Sequence, residues 1–230
     1  MGNERKEFVV KRNRCKKIAA ALLCMVMGCT TLGQGLSAVA ADSTTEEEAV
    51  EINFAKALQM SLYFYDANKC GSGITGGNLE WRGDCHTEDA AVPLKPMGED
   101  YKGTNLSQKF IDAHRDILDP DGDGTIDVAG GMHDAGDHVK FCLPGSYAAS
   151  TLGWGYYEFR DAYVDSGQQW HIEDILHWFN DYYLKCTYFD ENGDILAFCY
   201  QVGEGDIDHN YWNAPELQNE SLLDFARPAY

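Results

Sequence analysis

Apolar side chains recur at every third or fourth position through three stretches of this chain, and that period predicts amphipathic helices. The first stretch runs from Ile52 to about Lys69, where Phe54, Leu58, Leu62 and the Phe64-Tyr65 pair repeat near helical spacing. A second runs from Leu143 to about Asp165, with Pro144 at its start and Tyr147, Trp154, Tyr157, Phe159 and Tyr163 along it. The third, Trp170 to Cys186, carries Ile172, Ile175, Leu176, Phe179, Tyr183 and Leu184 on a broad apolar face. A shorter helix is expected from Ser107 to about Ile117. Residues 71–102 are rich in Gly, Pro and polar side chains and read as a long loop. Asn192-Gly193 signals a short β-hairpin, and residues 201–230 have loop composition. Few strand-like runs separate the helices, so the pattern predicts an all-α fold with long loops. The broad apolar faces expect neighbours on two sides, so the helix set in this chain reads as incomplete.

The opening of the chain follows a different logic. Seven basic residues between Arg5 and Lys17 precede an apolar run from Ile18 to about Gly28, and small residues follow up to Ala41. Basic, apolar and small-residue regions in that order predict a secretory signal over 1–40, cleaved after Ala40. Residues 41–51 are acidic and Thr-rich and read as a flexible leader, which leaves 52–230 as the folded portion. The apolar run is too short for a membrane span, and no other long one occurs. The whole chain carries a net charge of −19, and the basic opening means that the remainder is more acidic still. Such a surface repels phosphate backbones and anionic lipids, which argues against nucleic-acid and membrane partners but not against a neutral polysaccharide.

Removing the signal takes Cys15, Cys24 and Cys29 with it and leaves Cys70, Cys85, Cys142, Cys186 and Cys199. With Asn192-Gly193 as the turn, Cys186 and Cys199 lie equally far from it and face each other, so a disulfide is one expectation for an exported chain. Two unlinked thiols are the other. No Cys pair has zinc-site spacing, and His133 and His138 lack the helical His-Glu-x-x-His arrangement, so both read as structural or surface histidines. No Gly-x-Ser-x-Gly elbow signals a serine nucleophile.

Candidate chemistry concentrates in three places. Gly130-Gly131-Met132-His133-Asp134-Ala135-Gly136-Asp137-His138 sets two carboxylates three residues apart, with small spacers that allow a sharp turn and close approach to a ligand. Such a pair can hold and polarise a water molecule, as base-assisted hydrolysis needs, or it can cap a helix. Asp119-Pro120-Asp121-Gly122-Asp123-Gly124-Thr125-Ile126-Asp127 has the form of an EF-hand calcium loop. Asp119, Asp121, Asp123, Thr125 and Asp127 are its candidate ligands, but Gly130 stands where a bidentate acid belongs. An acidic turn without metal is the alternative. The third place, residues 202–212, gathers acids, His209, Tyr211 and Trp212 on a Gly-rich loop, as a sugar platform or as ordinary aromatic packing.

Together these segments resemble glycoside hydrolase family 9, the cellulases and endoglucanases built as an (α/α)6 barrel. The resemblance rests on Asn53-Phe54-Ala55-Lys56-Ala57-Leu58-Gln59, Trp81-Arg82-Gly83-Asp84, Gly130 to Phe141, Leu152-Gly153-Trp154-Gly155, residues 201–212 and Arg227-Pro228-Ala229-Tyr230, in family order. It implies an (α/α)6 barrel, incomplete in this chain, and a secreted endo-β-1,4-glucanase acting with inversion. It implies that Asp137 is the general base, that Asp134 helps to hold the water, and that His138, His209, Tyr211 and Trp212 meet the substrate. No cofactor is required; the Asp119 loop, an insertion relative to many members, is a candidate for structural calcium on its own residues. The partner is cellulose or another β-1,4-glucan, and any binding or dockerin modules lie outside this chain. The family's general-acid Glu comes from a segment beyond Tyr230, and Glu204, Glu216 and Glu220 do not fall in its motif, so residues 1–230 are expected to be inactive alone. A non-catalytic carbohydrate-binding protein on the same scaffold is the alternative. A calcium-dependent adhesion or docking module rests on the Asp119 loop alone.

Overall fold

The computed structural model describes residues 52–223 and 225–230, so the expected signal and leader lie outside the described residues. Helix α1 spans Phe54–Asn68, and the Asn53 side chain caps it by accepting from Lys56 N at 2.9 Å. The expected 107–117 helix is two short ones, α2 (Gln108–Ala113) and α3 (Arg115–Leu118), which meet at His114. The second long stretch likewise divides at Phe159, into α4 (Cys142–Glu158) and α5 (Arg160–Asp165). Helix α6, Gln169–Lys185, matches its predicted range within a residue.

Short antiparallel pairs tie the loops together. Strand β1 (Val92–Pro93) pairs with β2 (Thr125–Ile126), and β3 (Lys140–Phe141) pairs with a late strand over Gln201–Val202. Strands β4 (Thr187–Phe189) and β5 (Ile195–Phe198) form the hairpin around Asn192-Gly193. The late strand, Gln201–Val202, is β6, and the one-turn helix after it, Gly205–His209, is α7. Residues 201–230 are therefore more structured than their composition suggested.

Three apolar clusters make the core of the described residues, and α6 reaches the two larger ones and, through Trp178, the small one of Cys70, Ile74 and Cys85. Ile172, Ile175 and Phe179 pack with Leu62 and Tyr163, while Tyr182 joins Val92, Ile111, Leu118, Ile126, Val128 and Val202. The α4 face away from α6 stays open, with Leu143, Tyr147, Trp154 and Tyr157 exposed. The described architecture is thus helical with few strands. No described helix is long and apolar enough to cross a membrane.

The hairpin mouth corrects one expectation. Cys186 and Cys199 are adjacent, with Cys199 N donating to Cys186 O at 2.9 Å, yet both are free thiols. The Cys199 thiol, beside that of Cys186, also donates to the Gln201 carbonyl at 3.4 Å.

Candidate active site

The loop that carries Asp134 and Asp137 is held at both ends. His133 N donates to Asn68 O at 2.8 Å, and Asp134 N donates to Val139 O at 2.9 Å, which closes the turn. Gly131, with φ +75°, is required there: a Cβ would meet the Tyr182 ring at 2.7 Å. Between these anchors Asp134, Ala135 and Gly136 are exposed and Asp137 is half-buried. An open hollow beside Asp134 is lined by Tyr65, Asn68, Phe141 and Gly145. Burial, and then the negative charge of Asp137, raise Asp134 above the usual carboxylate range. The carboxylates therefore share one local field, with Asp134 open to solvent and Asp137 largely covered. The Asp137 side chain is 14% exposed, and its Oδ1 has no hydrogen-bond partner among the described residues.

The β3–β6 pairing brings the 202–212 loop alongside. Glu204 caps α7 by accepting from Ile207 N at 2.9 Å, and this turn sets His209 Nδ1 3.7 Å from Asp137 Oδ2. The His209 side chain is 70% exposed and meets the Trp212 ring edge-on at 6.1 Å; Trp212 is itself 76% exposed. These two present the accessible surface the sequence suggested for a sugar.

His138 and Tyr211 do not. His138 is 3% exposed, and Tyr211, 9% exposed, packs edge-on against it at 5.6 Å. Burial also pulls the His138 pKa down to about 4, so the ring is neutral near pH 7. Its Nδ1 lies 2.7 Å from Gln218 Oε1, and Gln218 Nε2 donates to Asp208 Oδ1 at 2.8 Å. With its nitrogen donating, the Gln218 carbonyl accepts from His138 Nδ1 and from His86 Nε2, the latter at 2.9 Å. His86 then presents its Nδ1 on the other side.

That nitrogen faces a cluster the sequence did not suggest. Donor atoms of Cys70, Cys85, His86 and His133 lie within 4.8 Å of one another, and all four residues are buried. His86 Nδ1 is 3.2 Å from His133 Nε2 and 3.8 Å from Cys70 Sγ. Burial pushes the Cys70 thiol well above its usual range and His133 well below its own, so without a cation neither ionises. Two thiols and two imidazoles gathered in a buried shell fit tetrahedral zinc. Gln218 supplies the outer hydrogen bond that such a histidine needs. Of the two histidines expected to be structural or on the surface, His133 joins this cluster, while His138 is a buried side chain beside it. The legible signal was the Cys85-His86 dipeptide; Cys70 and His133 reach it only through folding. Cobalt(II) loaded in place of zinc is expected to give a thiolate-to-metal absorption band that Cys85→Ser weakens; an unchanged spectrum would exclude this cluster as the binding site.

Buried charge completes the underside. Arg227 donates through Nε and Nη2 to Asp89 at 3.0 and 2.8 Å, and through Nη1 to Asp208 Oδ2 at 2.9 Å and to His138 O at 2.8 Å. Lys140 Nζ meets Asp89 at 2.8 Å and also donates to Val128 O and Gly130 O. Arg227 and Lys140 hold Asp89 well below the ordinary carboxylate range against the desolvation that would raise it. The Trp81-Arg82-Gly83-Asp84 segment is a brace of the same kind: Arg82 and Gly83 N both donate to Glu216 Oε1, at 2.7 and 2.8 Å.

The expected calcium ligands stand apart from this centre. Asp119, Asp121 and Asp123 gather on the loop before β2, and Asp127 pairs with Lys185 at 3.0 Å.

A family model described as Glycosyl hydrolase family 9 matches residues 54–230. Over 215 residues the chain is 30% identical to Endoglucanase A of Bacillus pumilus, a match covering 94% of this chain and 25% of that protein. Among solved structures, the catalytic domain of Clostridium thermocellum CelT is similar with a TM-score of 0.71 at 54% identity, covering 78% of this chain and 34% of that one. Endoglucanase CelQ from Clostridium thermocellum, complexed with cellotriose, is similar with a TM-score of 0.53 at 30% identity, covering 78% of this chain and 22% of that one. This chain thus spans roughly a quarter to a third of the length of these relatives.

Proposed function

Since this chain belongs to glycosyl hydrolase family 9, we propose that it is the water-activating part of a secreted endo-β-1,4-glucanase that acts with inversion. Its helices α1, α4 and α6 are then members of an (α/α)6 barrel, and the exposed α4 face meets the remainder of that barrel. The observation that carries the reading is Asp137: a nearly buried carboxylate at the edge of an open loop, with one oxygen unpartnered among the described residues. Such an oxygen can accept the proton of a water molecule as that water attacks the anomeric carbon. Asp134, exposed beside it, holds the same water. Trp212 offers the apolar face a sugar ring stacks on, and His209 offers a polar edge for its hydroxyls. The family name and the relatives' endoglucanase names support a β-glucan as substrate.

Inversion also needs a carboxylic acid across the sugar to protonate the leaving oxygen. Glu204 caps a helix and Glu216 is held by Arg82 and Gly83, so we assign that role to a glutamate outside these residues. Export fits the basic, apolar and small-residue order of residues 1–40 and the acidic remainder. The test is the configuration of the first product. Cello-oligosaccharide cleaved by the protein containing this chain is expected to show the α-anomer first by proton NMR, before mutarotation. A β-anomer formed first would mean a covalent intermediate and would overturn the base role of Asp137.

A further inference from the structure

We propose that the 119–127 loop is a calcium site of low affinity that braces the segment leading into the Asp134 turn. One carboxylate oxygen from each of Asp119, Asp121 and Asp123 lies within 4.8 Å of the others. The decisive group is Asp119. Its side chain is 1% exposed, and its Oδ1 has no hydrogen-bond partner among the described residues. A buried carboxylate oxygen left bare is costly, and a bound cation in the cluster it belongs to would satisfy it.

The rest of the loop is shaped for the same ion. Asp119 Oδ2 accepts from Gly124 N at 3.0 Å, and Gly124 has φ +84° at the position where an EF-hand loop turns sharply. The Ile126 side chain, between the seventh and ninth positions, is buried in the core, and β2 pairs with β1 there. The loop is therefore anchored at its centre while its carboxylates stay together. Charge points the same way. Among the described residues, Asp119, Asp121, Asp123 and Asp127 meet only two cationic side chains, Arg115 at 3.6 Å from Asp119 and Lys185 at 3.0 Å from Asp127. A divalent ion would neutralise the remainder, and an all-oxygen donor set selects a hard cation over zinc or copper.

The same contacts limit the affinity. Lys185 competes for Asp127, the ninth position, and the twelfth is Gly130, whose carbonyl accepts from Lys140 at 3.1 Å. With no bidentate acid at that end, the dissociation constant is expected on the order of 10⁻⁴ to 10⁻³ M, the range of extracellular calcium modules. The inference does not depend on the hydrolase reading. Residues 128–133 join this loop directly to the Asp134 turn, so a bound ion would stiffen that run.

Calorimetric titration of calcium into the intact, calcium-depleted protein tests it, alongside Asp121→Asn/Asp123→Asn and Asp119→Asn. Asp121 and Asp123 are exposed, so the double variant retains the fold, while Asp119→Asn keeps an acceptor for Gly124 N. The wild type is expected to bind one more calcium ion per chain than either variant, and millimolar calcium is expected to raise its melting temperature by a few degrees more. Equal stoichiometry in all three proteins would overturn the proposal. Magnesium bound as well as calcium would overturn the assignment of the ion.

Discussion

Asp137→Asn is expected to lower kcat on a soluble β-glucan about a thousandfold while leaving KM within a factor of about two, since a positioned general base contributes on the order of 10² to 10⁴. The substitution keeps the shape of the side chain and a hydrogen-bond acceptor for water, so the ground state is little changed. What disappears is the capacity to take the proton as the oxygen attacks, which corresponds to about 4 kcal/mol of transition-state stabilisation. Asp134→Asn is expected to cost less, because an amide at that exposed position still accepts a hydrogen bond from the water. Steady-state kinetics on the two variants, with circular dichroism to show that both are folded, separates the roles. Equal losses would make the carboxylates one unit rather than a base and its helper.

Arg227→Met is expected to destabilise the fold by about 3–5 kcal/mol, the usual cost of removing one partner from a buried ion pair. Among the described residues the substitution leaves Asp208 hydrogen-bonded to Gln218 and Asp89 paired with Lys140, and both carboxylates are fully buried. It also releases the His138 carbonyl, immediately after Asp137, so activity should fall before the protein unfolds. Arg227→Lys keeps the charge but loses the two-pronged hold on Asp89, and an intermediate loss is expected. Thermal melts followed by circular dichroism measure this: a fall of roughly ten degrees is expected for Met and less for Lys. A melting temperature unchanged in Arg227→Met would show that the loop stands without the buried network.

The parts of this molecule that were legible in the sequence are the local ones. The spacing of Ile172, Ile175 and Phe179 set the range and buried face of α6, and the small residues between Asp134 and Asp137 marked an exposed turn. Helix breaks at His114 and Phe159 were not visible, because apolar period alone carries no stop signal at those residues. Adjacency misled in one respect. His138 and Tyr211 sit beside Asp137 and Trp212 in the chain, but unlike Trp212 both are buried. The Cys70, Cys85, His86 and His133 cluster escaped because its members come from separate segments, outside the close Cys spacing of local zinc motifs. The pairing of Arg227 with Asp89, 138 residues apart, was equally out of reach of any local pattern. Such contacts are set by packing, and only the folded chain displays them.

The claim on which the functional reading depends is that Asp137 stands behind the anomeric carbon with a water between them. A crystal structure of the protein containing this chain, bound to a thio-linked cello-oligosaccharide that it cannot cleave, measures this directly. The expected result is a sugar ring against Trp212 and a water within about 3 Å of Asp137, on the face of the anomeric carbon opposite the leaving sulfur. An oligosaccharide bound elsewhere, or with Asp137 on the leaving-group face, would contradict the account.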